Sequence, residues 1–288
     1  MDNFKLEIQN LTKVYPGTVA LKDFSAVFNG GKVYALLGKN GSGKSTLVKC
    51  ISGAIQPTGG KMFINGRPLQ PKSPMDAFNS GIAIVYQELS LVRDLSVAEN
   101  ILLGRYFKKR FHNSIIDWEK TNQKAEEILK SINIDIPVVK KVGSLGIGQQ
   151  QMVEIAKAMS FDPAVLILDE PTSALAQNEI ESLFEVVREL KARGVIIIFI
   201  THKLHEISMI ADFVTVIRDG HNVGTITIEE ATPKKIVEMM FGETRQLSRP
   251  SDLKVSTEVI LEVKNLSRRN KFADINFKLY KGEILGIA

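Results

Sequence analysis

The chain has 288 residues, 44% of them hydrophobic and 24% charged, with a formal net charge of +5. These values are ordinary for a soluble globular protein with core enough for one large domain or two small ones, and so mild a charge argues for neither a nucleic-acid nor an anionic-membrane partner. The single cysteine, Cys50, excludes an intrachain disulfide and suits a reducing compartment. The best apolar run, 195–200, falls far short of a membrane span, and the N-terminus lacks the basic and then apolar layout of a signal peptide. A cytoplasmic location is expected, with any membrane role supplied through a partner.

Residues 5–10 and 22–28 alternate or run apolar as strands do. Tyr15, between Val14 and Pro16, could stack an adenine ring. A third apolar run, 32–37, leads into Gly38-Lys39-Asn40-Gly41-Ser42-Gly43-Lys44-Ser45-Thr46, which fits the phosphate-binding pattern G-x-x-x-x-G-K-[ST] at every fixed position. Gly41 and Gly43 let the backbone bend until successive N–H groups point at phosphate oxygens. Lys44 can then reach the β- and γ-phosphates, and the Ser45 hydroxyl can ligate Mg²⁺. A helix over 45–52 adds the partial positive charge of its N-terminus. The string predicts binding of a nucleoside triphosphate.

Residues 61–69 read as a hairpin turning at Asn65-Gly66, and Ser73-Pro74 opens a short helix closed by Gly81. The apolar strand 82–86 ends at Gln87, whose amide can touch Mg²⁺ or the attacking water. From Leu89 to about Gln151 the texture turns helical: Asp117 is a good N-cap, and Trp118, Ala125, Ile128, Leu129 and Ile132 share one face of the helix it starts. Leu145-Gly146-Ile147-Gly148-Gln149 precedes a helix with Met152, Val153, Ala156 and Met159 on one stripe. Its glycine-rich N-terminus is a second anion site, expected to serve a neighbouring subunit's nucleotide.

Strand 165–168 ends in Asp169-Glu170, where Asp169 can hold Mg²⁺ through its water shell and Glu170 can orient the attacking water. Strand 195–200 leads to His202, whose imidazole can donate to a γ-phosphate oxygen. With strand 213–218 and helices over 180–192 and 204–211, these runs imply a parallel α/β sheet. Thr232-Pro233 starts a helix ending near Gly242, and 243–257 is polar enough to be a linker.

An internal repeat follows. The stretch 6–12 returns at 261–267, an offset of 255 residues (261 − 6), while Asp23 aligns with Asp274 and Gly31 with Gly282 at an offset of 251 (274 − 23). At that offset the final residue, Ala288, corresponds to Leu37, so a second phosphate loop is expected to begin just beyond it. No counterpart of Tyr15 survives in the repeat.

Taken in order, Tyr15, the phosphate loop, Gln87, 145–149, Asp169-Glu170 and His202 resemble the ATP-binding-cassette ATPases. The stretches 84–105, 116–118 and 148–157 look more narrowly like the simple-sugar importers of that family, as does the tandem design. The resemblance implies an α/β P-loop NTPase core with an antiparallel β subdomain and a helical insertion at about 89–160, all within a cassette at 1–242. Residues 243–257 would be the linker and 258–288 the truncated beginning of a second cassette. It implies ATP and Mg²⁺, and an ATPase energising uptake of a monosaccharide. The implied partners are transmembrane permease subunits, a periplasmic or extracellular sugar-binding protein and the second cassette, with no nucleic acid. The place would be the inner face of the cell membrane, held peripherally by the permease.

The implied roles are catalysis by Lys44, Gln87, Glu170 and His202, and Mg²⁺ ligation by Ser45, Gln87 and Asp169. Two positions depart from the family pattern. Gly146 stands where serine is usual, which implies a weakened contact to the partner's γ-phosphate, one charge-assisted hydrogen bond being worth about 1.5–3 kcal/mol. Ala176 stands where aspartate is common, which implies altered communication between sites. A nucleoside importer, or a soluble tandem cassette protein acting on ribosomes or nucleic acid, would share the nucleotide motifs. The short linker, modest charge and wording of 84–105 favour sugar.

Overall fold

In a computed structural model, the described residues are 4–109, 112–242, 256–269 and 271–286. The chain divides into two compact units, Met1–Gly242 and Glu243–Ala288. The first opens with β1 (Lys5–Tyr15), β2 (Thr18–Asn29), β3 (Val33–Leu37), α1 (Lys44–Ile51), β4 (Gly59–Ile64), β5 (Arg67–Leu69), α2 (Pro74–Asn79) and β6 (Ile82–Val85). A largely helical stretch follows, with α3 (Val97–Ile101), β7 (Lys108–Lys109), β8 (His112–Ile116), α4 (Trp118–Ser131) and α5 (Ile147–Met159). The unit closes with β9 (Val165–Asp169), α6 (Gln177–Ala192), β10 (Ile196–Ile200), α7 (Leu204–Ile210), β11 (Phe213–Arg218), β12 (His221–Thr227) and α8 (Pro233–Phe241).

These strands make an antiparallel sheet ordered β2-β1-β4-β5 and a six-stranded sheet ordered β12-β11-β3-β10-β9-β6. The latter is parallel except for its edge strand β12, which pairs antiparallel with β11. Strand β10 is buried along its whole length and β9 up to Asp169, as expected of parallel strands covered on both faces. Because side chains alternate, Ile167 and Ile198 pack toward Leu6, Phe24 and Phe28 of the antiparallel sheet. Leu168 and Phe199 pack the other way, on Leu183, Phe184 and Val187 of α6 and on the helical region.

Local signals explain most boundaries. The Ser73 hydroxyl accepts from Asp76 N–H and the Thr232 hydroxyl from Lys235 N–H, each just ahead of a helix-starting proline. Asn65 (φ 49°) and Gly66 (φ 74°) both take the left-handed backbone that a two-residue hairpin turn demands. Asp117 caps α4 through Lys120 N–H, and Ala125, Ile128, Leu129 and Ile132 are buried beneath it. Trp118 departs from that stripe. At the first position of the helix it overhangs the buried face and tilts against Tyr106, ring centres 5.6 Å apart, leaving 45% of its surface exposed.

Three strands lay outside the expectation. β7 and β8 form a small hairpin inside the helical region, and β12 caps the edge of the sheet. Strands β1 and β2 also run longer than expected, because bulges at Asn10 (φ 49°) and Asp23 (φ 51°) carry the pairing across breaks in the alternation.

The second unit contains β13 (Val259–Arg268) paired antiparallel with β14 (Phe272–Tyr280). Its details reproduce those of β1 and β2. Asn265 (φ 50°) and Asp274 (φ 54°) occupy the repeat positions of Asn10 and Asp23, with the same backbone hand. Asn10 N–H donates to Ser25 Oγ at 2.8 Å and Asn265 N–H to Asn276 Oδ1 at 2.8 Å. Asp23 N–H donates to Thr12 Oγ1 at 3.1 Å and Asp274 N–H to Ser267 Oγ at 2.8 Å. The expected linker at 243–257 lies outside the described residues through 255, as do 287 and 288.

Candidate nucleotide site

Strand β3 delivers the phosphate loop to the carboxyl end of the parallel sheet, and α1 begins at Lys44. Two of its glycines are there for space. A Cβ on Gly38 would sit 2.4 Å from Ile217 O and Ser42 Oγ, and one on Gly43 2.5 Å from Ala20 O. Gly43 also has φ 110°. Lys44 Nζ donates to Gly38 O at 2.7 Å and Lys39 O at 3.0 Å, so the loop curls around its own ammonium group. Burial lowers the Lys44 pKa, opposed by the charges of Glu170 and Asp169. Ser42 Oγ, within the loop, is buried with no hydrogen-bond partner among the described residues, while Ser45 stands exposed in the first turn of α1. Lys39 and Asn40 are exposed, and Thr46 is half-buried.

Sheet order assembles the second part. Strand β9 lies between β6 and β10, so residues leaving those three carboxyl ends flank one another. Glu170 follows β9, Gln87 follows β6 and His202 follows β10. Gln87 Nε2 donates to Glu170 Oε2 at 3.3 Å, and His202 Nδ1 lies 3.3 Å from Glu170 Oε1. Glu170 itself adopts φ 47°, a costly backbone for a non-glycine residue. Its N–H donates to Ile200 O at 3.0 Å, and its carbonyl accepts from Ser173 N–H at 3.2 Å. Asp169, one residue earlier, has its carboxyl pKa raised by burial and by the charge of Glu170, with Lys44 pulling the other way. A carboxylate held between an amide and an imidazole, beside a lysine-bearing phosphate loop, can order a water and accept its proton.

The glycine-rich segment sits elsewhere. Leu145 is buried, Ile147 is exposed, and Gly146 is the N-cap of α5 with an extended backbone. Among the described residues, the hydrogen bonds of 145–149 stay within α5 and its approach or run to Glu179, none reaching 38–46. Gly148 N–H donates to Glu179 Oε1 at 3.2 Å, and Ala176 N–H to Glu179 Oε2 at 2.9 Å. Sequence reading missed this contact; the only signal was an acid three residues into α6. Tyr15 ends β1, partly exposed, with Lys13 Nζ 5.2 Å from its ring centre. Ala20 and Leu21 of β2 approach Gly43 closely, which makes the hairpin and the loop neighbours. A second aromatic, Phe241 at the end of α8, lies 4.2 Å beneath Lys39 Nζ. No local pattern around Phe241 pointed to the loop.

A parallel sheet carrying a phosphate loop after β3 and paired acids after β9, with an antiparallel sheet and a helical insertion, is the architecture of a P-loop nucleotide-binding cassette. Residues 21–173 match the ABC transporter family, and the chain belongs to that family. It is similar to a nucleotide-free ATP-binding cassette from an ABC transporter, with 28% identity and a TM-score of 0.73 over 83% of this chain and 100% of that one. An ADP-conformation cassette of an ABC transporter is also similar, at 28% identity and a TM-score of 0.72 over 83% and 99% of the two chains.

Among curated relatives, the xylose import ATP-binding protein of Moorella thermoacetica is 44% identical over 100% of this chain and 58% of its own length. A putative ribose/galactose/methyl galactoside import ATP-binding protein of Hahella chejuensis is 41% identical over 99% of this chain and 55% of its own. The galactose/methyl galactoside import ATP-binding protein of Fusobacterium nucleatum is 41% identical over 100% and 58%. The chain thus spans little more than half the length of the curated relatives it matches.

Proposed function

We propose that this chain is the ATP-binding and hydrolysing part of an importer for a simple sugar, and the first cassette of a tandem protein. The observation that carries the catalytic reading is the meeting of Gln87, Glu170 and His202 on one carboxylate beside the phosphate loop. The sugar-import names of three relatives support the substrate class. The doubled bulge geometry of the two hairpins supports a cassette at 1–242, a linker at 243–257 and the start of a second cassette at 258–288.

In this reading the backbone of 38–46, including Lys39 and Asn40, cradles the phosphates, and Lys44 exchanges its loop carbonyls for β- and γ-phosphate oxygens. Gly38 and Gly43, where a Cβ would meet neighbouring backbone at 2.4 and 2.5 Å, fit a loop wound tightly enough to aim its N–H groups at one anion. The hydroxyl of Ser45, the amide of Gln87 and the carboxylate of Asp169 would hold Mg²⁺, and Thr46 would support the turn. Among the described residues no group of three or more His, Cys, Asp and Glu is set to hold a metal alone, which suits a cation bound through few protein ligands plus phosphates. When bound, Mg²⁺ neutralises charge building on the phosphates. Glu170 orients the water and takes its proton, His202 donates to the γ-phosphate, and Tyr15 stacks on adenine. Leu145, Gly146, Ile147, Gly148 and Gln149 face the nucleotide of the partner cassette.

A groove lined by Met75, Phe78, Tyr86, Leu103 and Phe161 opens beside the segment after Gln87. That segment is tied to α5 through Ser90, which donates to Glu154 Oε1 at 2.6 Å and accepts from Lys157 Nζ at 2.8 Å. Such a groove suits a permease helix and a position on the inner face of the membrane. No helix among the described residues is long and apolar enough to cross a membrane. The test is ATP-driven uptake of labelled xylose, galactose and ribose into vesicles holding the full-length protein and its permease. Lys44→Ala should lower ATP affinity at least tenfold, since each lost charge-assisted hydrogen bond is worth about 1.5–3 kcal/mol, and should abolish uptake. Uptake unchanged by that substitution, or tight RNA binding at physiological salt, would overturn the reading.

A further inference from the structure

We infer that Glu206 is a positioning residue for ATP hydrolysis, clamping the two segments that carry Glu170 and His202; this rests on the reading that those two residues act on ATP. Glu206 lies in the first turn of α7 and is fully buried. A buried carboxylate is costly unless donors meet it, and the donors here are specific. Its Oε2 accepts from Thr201 Oγ1 at 2.8 Å and from Thr172 Oγ1 at 2.9 Å. Thr172 stands two residues after Glu170, and Thr201 one residue before His202. Both threonines are buried.

Lys203 closes the cluster. Its Nζ lies 3.2 Å from Glu206 Oε1 and donates to Thr172 O at 3.0 Å, while its N–H donates to Thr201 Oγ1 at 3.0 Å. The β9–β10 ladder ends at the pairing of Asp169 with Ile200, so the residues beyond it leave the sheet with few backbone bonds to align them. Glu206 supplies the alignment where the ladder stops. Glu170 in its left-handed backbone needs such surroundings, because a strained conformation persists only where neighbours over-determine it. Glu206 is more than 30 residues from Glu170 in sequence and is closed off from solvent. Among the described residues its side-chain partners are Thr172, Thr201 and Lys203, none of them in the phosphate loop. Its effect on chemistry therefore runs through the 3.3 Å contact between His202 and Glu170.

The test uses the full chain, at a protein concentration where hydrolysis is measurable, with Glu206→Gln, Thr201→Val and Thr172→Val. Calorimetry gives ATP affinity, phosphate release gives turnover, and thermal melting gives stability. Glu206→Gln removes the charge that meets Lys203 at Oε1 and leaves only a neutral, weaker acceptor for the two threonines that share Oε2. Turnover should therefore fall about ten- to a hundredfold, the order expected when a reacting group is displaced by about an ångström. ATP affinity should stay within about twofold, because no loop residue changes. Each valine variant, which swaps a hydroxyl for a methyl, should slow turnover, and the double variant should be no slower than Glu206→Gln, as expected of residues acting as one unit. Unchanged turnover in Glu206→Gln or in both valine variants overturns the inference. So does loss of ATP affinity in step with turnover, since that marks a merely structural role. If Glu206→Gln does not fold, the valine variants decide. Glu170→Gln is run alongside: parental turnover there would defeat the assignment of Glu170, whereas an inactive Glu170→Gln beside an active Glu206→Gln defeats only the clamp.

Discussion

Asp169 and Lys44 lie close enough at the end of the sheet for each charge to act on the other, and burial works against both. In the folded protein Asp169 holds its proton more tightly than the ordinary carboxylate value of 3.8 allows, because burial and the neighbouring Glu170 outweigh Lys44. The folded state therefore binds more protons than the unfolded one, and stability contributed at this position falls as pH rises from 3.8 through the raised value. Asp169→Asn should accordingly raise the melting temperature at pH 7, with the gain vanishing below pH 3.8, as followed by calorimetry across pH. The same substitution should weaken Mg²⁺-dependent ATP binding. A variant less stable than the parent at pH 7 would contradict the charge argument. Stability given up at a site for the sake of its chemistry is a common pattern. Burial acts in the same direction on Cys50, whose buried thiol is pushed up to about 11 and so keeps its proton at pH 7.

Helices α5 and α6 both start without a side-chain N-cap of their own, at Gly146 and Ala176. Glu179 fills that need for both, one carboxylate oxygen on Gly148 N–H and the other on Ala176 N–H. Removing a cap typically costs about 0.5–2 kcal/mol, which for a domain of this size lowers the melting temperature by about 1–8 °C. Glu179→Ala should show that loss in a thermal melt, and an unchanged transition would mean the contact contributes nothing. The elements themselves were largely readable. Caps at Ser73, Asp117 and Thr232, the Asn65-Gly66 turn and the buried runs β9 and β10 depend on neighbours a few residues away, and all formed as expected. Trp118, β7, β8 and β12 did not follow, since their state depends on which surface happens to lie opposite. A half-apolar stretch such as 221–227 becomes a strand only because β11 offers it an edge.

The loop at 38–46 and the glycine-rich start of α5 share a unit but exchange no hydrogen bond among the described residues. If each completes its site on another cassette, hydrolysis by this chain requires two copies to meet. Turnover per molecule should then be slow and should rise with protein concentration; a rate independent of dilution in a phosphate-release assay would contradict the composite site. The repeat in the second unit points the same way, since Asn265 and Asp274 reproduce the unusual backbone of Asn10 and Asp23 and not merely their residue types.

Read alone, the amino-acid order was enough to pick out the phosphate-loop string at 38–46, the acid pair at 169–170, the alternation of strands and helices, and the return of 6–12 at 261–267. Each of those is written in spacing along the chain, where backbone geometry and periodicity act over a few residues. The meeting of Gln87, Glu170 and His202 was different: Gln87 and Glu170 are 83 positions apart, and their contact exists because β9 is threaded between β6 and β10. The same holds for Glu206 beneath Thr172 and Thr201, for Glu179 on Gly148, and for Phe241 under Lys39. Strand order is set by how all the apolar faces bury one another at once, and no local pattern encodes it.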